Sequence, residues 1–63
     1  MIIILHKATS DERIAINFDH VISFREVILS GDSCTSILLS YGTEIVRESI
    51  GEIMDMLSDF KAT

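Results

Sequence analysis

Between residues 35 and 53 the chain reads as strand, tight turn, strand and helix start, with almost nothing in between. The turn is marked by Tyr41-Gly42-Thr43, a glycine between two β-rich runs, where a backbone angle that only glycine takes freely reverses the chain. The helix start is marked by Ser49-Ile50-Gly51-Glu52, the spacing of a capping box. In that motif the Ser49 hydroxyl accepts an orphan backbone N–H of the first turn, and the Glu52 carboxylate reaches back to the Ser49 N–H. These residues specify shape rather than chemistry.

The same reading extends along the rest of the chain. A first strand is expected over residues 2–7, a polar turn over 9–12, and a second strand over 13–18. In that second strand Ile14, Ile16 and Phe18 alternate with Arg13, Ala15 and Asn17. Residues 17–20 form a bend, because Asn and Asp side chains bond the backbone two residues on. A third strand spans 21–29, a loop 30–33, a fourth strand 34–40 and a fifth 44–48. Ile50, Ile53, Met54, Leu57 and Phe60 then recur at helical spacing, one apolar stripe of a helix ending near residue 60 or 61. The expected fold class is α+β. A small, mostly antiparallel, curled sheet of about five short strands is followed by one C-terminal amphipathic helix, all in a single domain over residues 1–63.

Size sharpens the problem. A chain of 63 residues buries only about 60% of its unfolded surface. Cys34 is the sole cysteine, so no internal disulfide can form, and no ligand group has zinc spacing. Burial therefore rests on composition, which is 48% hydrophobic with eleven isoleucines. A lone thiol behind a start that lacks a signal-peptide pattern implies a reducing, cytoplasmic setting. The opening Met1-Ile2-Ile3-Ile4-Leu5 is far too short to span a bilayer. Ten acidic and five basic side chains give a net charge of −5, and Lys7, Arg13, Arg25, Arg47 and Lys61 are scattered. Nucleic-acid backbones select clustered Lys and Arg, so unaided DNA or RNA binding is not expected. Anionic membranes repel the chain for the same reason.

One pattern departs from a sheet with a single apolar face. Residues 2–5, 27–29 and 37–39 are consecutive apolar runs, which place aliphatic side chains on both faces. One helix of about twelve residues covers one face only. Either the sheet curls onto itself or a second chain covers the remainder. The second arrangement is favoured, with Ile3, Leu5, Val27, Leu29 and Leu38 as the expected contributors to a homodimer interface.

Chemical sites are weaker. A reactive Cys34 would need a neighbouring base or helix start to lower its pKa, and nothing local supplies one. His6 and His20 lie outside any ligand-spaced motif. Glu52, Asp55 and Asp59 fall off the apolar stripe, on the water side of the helix. Gly31 and Gly42 belong to separate turns and build no phosphate loop. Met1, Met54 and Met56 read as packing residues. No catalytic, cofactor-binding or metal-ligating residue is expected, and no cofactor.

Four segments carry a resemblance: Met1-Ile2-Ile3-Ile4-Leu5; Asn17-Phe18-Asp19-His20-Val21; Ile37-Leu38-Leu39-Ser40-Tyr41-Gly42; and Val46-Arg47-Glu48-Ser49-Ile50-Gly51-Glu52-Ile53. In this order the chain resembles the FlbD/SwrD-like family of small flagellar and swarming-motility proteins of bacteria, nearly end to end. It departs from that pattern at residues 8–12, where the family carries an Asn-Gly-like turn, and at residues 30–33. The resemblance implies a non-enzymatic accessory protein and brings no catalytic or cofactor residue with it. The leading expectation is thus a self-associating protein-interaction module that docks on a larger protein partner. One alternative is a small regulator of gene expression, which a dimer with a basic groove would favour and the charge balance opposes. The other is a metal-binding protein or enzyme, which would require His6, His20, Cys34 or the carboxylates to converge.

Overall fold

The computed structural model describes the backbone of residues 1–61 and the side chains of residues 1–59. Five antiparallel strands and one C-terminal helix follow in order: β1 (Ile2–His6), β2 (Arg13–Asn17), β3 (Val21–Leu29), β4 (Asp32–Leu39), β5 (Gly42–Val46) and α1 (Ile50–Lys61). A single 3-10 turn, Phe18–His20, joins β2 to β3. The strands form two ladders, β1-β2 and β3-β4-β5. The expected α+β class and chain order hold, with the sheet divided in two.

Local chemistry explains each connection. The loop over residues 8–12 is pinned by Lys7 N–H to Glu12 C=O at 2.9 Å and Asp11 N–H to Lys7 C=O at 3.0 Å. Asp11 sits there at φ 57°, a left-handed position that Asp tolerates better than most residues. In the β2–β3 bend, the Asn17 side chain accepts the Asp19 N–H at 3.0 Å, the bond expected from an Asn–x–Asp bend. Ser30 at φ 52° and Gly31 at φ 84° make a two-residue hairpin whose twist matches its strands. That tight turn lets β4 begin at Asp32, two residues ahead of the expected start. The next reversal occupies Ser40 and Tyr41. Gly42, at φ 155°, already pairs with Leu39, so β5 begins and ends two residues ahead of the expected 44–48.

The two ladders meet where β1 ends. Lys7 bridges Val46, the Arg47 N–H donates to the His6 carbonyl at 2.9 Å, and the Ala8 N–H donates to the Ile45 carbonyl at 3.0 Å. This junction sets the inner faces against each other. Ile3, Leu5 and Ile16 from β1-β2 pack with Ile37, Leu39 and Val46 from β4-β5, and Ile53 of α1 completes the core. Phe18 and Phe24 stack edge-on beside it, centroids 6.3 Å apart.

Two expectations are corrected. Ile3 and Leu5 are 5% and 0% exposed, so they have no surface to offer a second copy. The reason is that the inner face is covered by the other ladder of the same chain. On α1 the inward stripe is Ile53, Met56 and Leu57, whereas Met54 is half-exposed. The helix rolls so that position i+6, rather than i+4, faces the core. Phe60, expected in the stripe, has its side chain outside the described residues.

The capping box forms as spaced. Glu52 N–H donates to Ser49 Oγ at 3.1 Å, and Ser49 N–H donates to Glu52 Oε1 at 3.2 Å. A Cβ at Gly51 would meet only Ser49 Oγ, at an ordinary 3.8 Å. Two substitutions should therefore move stability in opposite directions. Ser49→Ala lowers it by about 1 kcal/mol, and Gly51→Ala raises it by about 0.5–1 kcal/mol. Urea melts check both, and midpoints that do not diverge would mean the helix starts elsewhere.

Candidate functional site

The most elaborate polar arrangement lies at the junction, and its centre is Glu48. After β5 ends at Val46, residues 47–49 swing across the end of β1 before α1 begins. This carries the Glu48 side chain inward, where it is 7% exposed. A buried carboxylate must be hydrogen-bonded, and Glu48 is. The His6 backbone N–H donates to Oε1 at 3.0 Å, and His6 Nδ1 lies 2.7 Å from Oε2. A carboxylate only accepts, so Nδ1 carries the proton. The Glu48 carbonyl in turn accepts the hydroxyl of fully buried Thr35 at 2.7 Å. One residue thereby ties β1, β4 and the helix entry together, and no buried side-chain polar atom among the described residues lacks a partner.

Opposing effects act on the Glu48 carboxyl. Burial favours its neutral form and pushes the pKa up. Four favourable interactions outweigh it: the His6 ring hydrogen bond, the His6 backbone N–H, Glu48's own backbone N–H and attraction to a charged His6 ring. The pKa therefore lies below the ordinary glutamate value. Through Nδ1 the pair fastens β1 to the helix entry, and the nearby hydroxyl of Thr35 is buried and donates to the Glu48 carbonyl.

A groove of about 790 Å³ opens beside the junction, between the β1–β2 loop and the β3–β4 turn. Thr9, Asp11, Leu29, Ser33, Cys34 and Arg47 contribute to its walls. Arg47 is held by Asp11 at 2.8 Å, and Cys34 is a free but buried thiol. The groove thus presents neither an uncompensated cation nor an accessible nucleophile. Among the described residues no three His, Cys, Asp or Glu side chains lie close enough to hold a metal ion. No helix among them is long and apolar enough to cross a membrane.

The structure distributes the expected interface residues unevenly. Ile3 and Leu5 are core. Val27 and Leu29 are half-buried and Leu38 is 42% exposed. By register these three share the outer face of β3-β4-β5 with Ser23, Arg25 and Ser36. Ser49 and Glu52 form the cap, as expected. His20 is exposed in the 3-10 turn, apart from His6. Sequence reading missed the His6–Glu48 pair because 42 residues separate its members. The only local hint was a charged residue wedged between an apolar strand and a helix cap. No known family model matches the chain, and neither does any curated protein or solved structure.

The Glu48 shift has a definite consequence for stability. Its folded pKa is depressed, so the unfolded state binds the proton first as pH falls. The stabilisation is complete above the unfolded value, about 4.3, and is lost as pH drops through the folded value. Urea midpoints of the parent should fall through that acid range, and those of Glu48→Gln should fall less. Glu48→Ala at neutral pH should cost about 1–3 kcal/mol, because a part-buried His6 N–H loses its acceptor. Equal acid dependence in parent and Glu48→Gln would show that another carboxyl carries it.

Proposed function

We propose that this protein is a small non-enzymatic interaction module that self-associates as a homodimer and docks on a larger protein. Its setting is cytoplasmic, as an accessory protein of bacterial motility like the FlbD/SwrD-like proteins it resembles. The observation that carries the reading is the number of aliphatic side chains the chain leaves outside after filling its own core. Ile2, Ile4, Ile22 and Ile28 are 60%, 51%, 66% and 62% exposed, and Leu38, Tyr41 and Met54 are also exposed. Scattered apolar side chains are ordinary on a monomer. Here Ile2 and Ile4 lie beside Ala15 on the outer face of β1-β2, an exposed aliphatic cluster flanked by Asn17 and Arg13, of the kind that marks protein contacts. Of the polar residues, His6, Glu48, Thr35, Asp11 and Arg47 are engaged in holding strands and loops together.

The direct test is sedimentation equilibrium over a concentration series, with a dimer as the expected species. A cooperatively folded monomer at high micromolar concentration would overturn the self-association. Motility is tested separately: deleting the gene in its host should reduce swimming or swarming, and unchanged motility removes that part of the reading.

Charge bears on the regulatory alternative. The net charge is −5, and Arg47, the cation at the groove, is neutralised by Asp11. Fluorescence anisotropy at physiological salt should show no binding to duplex DNA or single-stranded RNA. Tight, salt-sensitive binding would instead favour a regulator of gene expression.

A further inference from the structure

We infer that the second copy joins along the free edge of β2, pairing β2 with its symmetry mate in an antiparallel register centred on Ala15. This inference rests on the homodimer reading above and specifies its seam. The free edge follows from the ladder. Phe18 N–H donates to the Met1 carbonyl at 2.8 Å, and Lys7 N–H to the Glu12 carbonyl at 2.9 Å, both in the register that pairs Ile2 with Asn17. Bonded pairs alternate along an antiparallel ladder, so Ile16 and Ile14 turn their backbone groups toward β1. Arg13, Ala15 and Asn17 turn theirs away from β1, and apart from the Asn17 carbonyl, which caps the 3-10 turn, no backbone group among the described residues pairs with them. An unpaired row of N–H and C=O groups calls for another extended strand.

The sequence of β2 makes a second copy a suitable strand. Full overlap of Arg13–Asn17 with itself places Ala15 opposite Ala15 at the two-fold axis and Arg13 opposite Asn17. Like charges directly opposite each other destabilise a strand pair, and this register has none. Arg13 is exposed and has no carboxylate partner among the described residues of its own chain. Across the seam it would lie near Asn17 and the exposed Asp19 that follows it, an attraction made twice by symmetry. The apolar face continues across the join, because Ile4 and Ala15 are paired neighbours. Small alanines at the centre let the two Ile4 side chains lean toward each other.

β1 and β5 turn their outer edges toward the joint between the ladders, and the edge of β3 is guarded. Full overlap of Val21–Leu29 with itself centres on Arg25 and sets two guanidinium groups opposite each other, and the two-residue slip that restores the alternation of bonded pairs centres on Glu26. A register shift between Val21 and Ser23 also distorts that strand, and α1 packs against it. Irregularity and charge are the means by which edges resist pairing.

The test compares like substitutions on the two edges. The Ala15 N–H faces away from β1, so Ala15→Pro removes no bond within the chain, and edge strands accept proline. The variant should stay folded by circular dichroism and sediment as a monomer at concentrations where the parent is a dimer. Glu26→Pro, whose N–H likewise faces outward, should remain a dimer. Independently, Ala15→Cys in a Cys34→Ser background should oxidise to a symmetric covalent dimer, since the paired Cα atoms would lie roughly 5.5 Å apart. If Ala15→Pro unfolds, the cross-link decides. A parent dimer whose Ala15→Cys variant fails to cross-link, or a folded Ala15→Pro dimer, would overturn the seam and leave self-association through another surface. A monomeric parent would overturn both.

Discussion

The fold depends on the joint between β1 and the segment that follows β5. Seven core residues come from two small ladders and a helix, and no disulfide or long hydrogen-bonded sheet forces them together. The Lys7–Val46 bridge and its two flanking backbone bonds hold the ladders at the angle at which their inner faces meet. Glu48 secures the same joint from the helix side through His6 and Thr35. A buried carboxylate is weak evidence for net stability, because the cost of desolvating it opposes its hydrogen bonds. Its value here is geometric. It fixes where the chain leaves the sheet and therefore where α1 starts, and Ile53 can reach the core only from that start.

This economy has a consequence for the surface. A short chain with a high apolar fraction has more aliphatic side chains than its interior can hold. Consecutive apolar residues in a strand cannot all point inward, because successive side chains take opposite faces. Filling the interior with Ile3, Leu5, Ile37 and Leu39 therefore leaves Ile2, Ile4 and Leu38 outside. The outward residues follow from the way the core is built, and the proposed association makes use of them. Both outer faces mix aliphatic with polar side chains. That of β3-β4-β5 sets Val27, Leu29 and Leu38 beside Ser23, Arg25 and Ser36, and that of β1-β2 sets Ile2, Ile4 and Ala15 beside Asn17 and Arg13, next to an unpaired edge.

Much of the local structure was legible. The bounds of β3, the bend at Asn17, the cap at Ser49 and Glu52 and the extent of α1 follow from signals within a few residues, and such signals act before any tertiary contact forms. The shifts are equally instructive. β4 starts early because Ser30 accepts a left-handed angle that its side chain does not advertise, which shortens the loop to two residues. β5 stops early because Arg47 and Glu48 are drawn off the ladder by partners on β1 and in the β1–β2 loop. Met54 lost its place to Met56 because the roll of a helix is set by the surface it lands on.

By itself the sequence determined the α+β class, the order of five strands and a helix, the capped helix start and the two-faced character of the apolar runs. Each of these is encoded in turn chemistry, capping spacing or the alternation of side chains, all of them short-range. Only the tertiary structure decided that the sheet divides, which aliphatics face inward, and that His6 meets Glu48. Those outcomes depend on how separate ladders dock, and the bonds that decide it join residues roughly forty positions apart. No local pattern can register such a contact, because its energy appears only once the chain has closed.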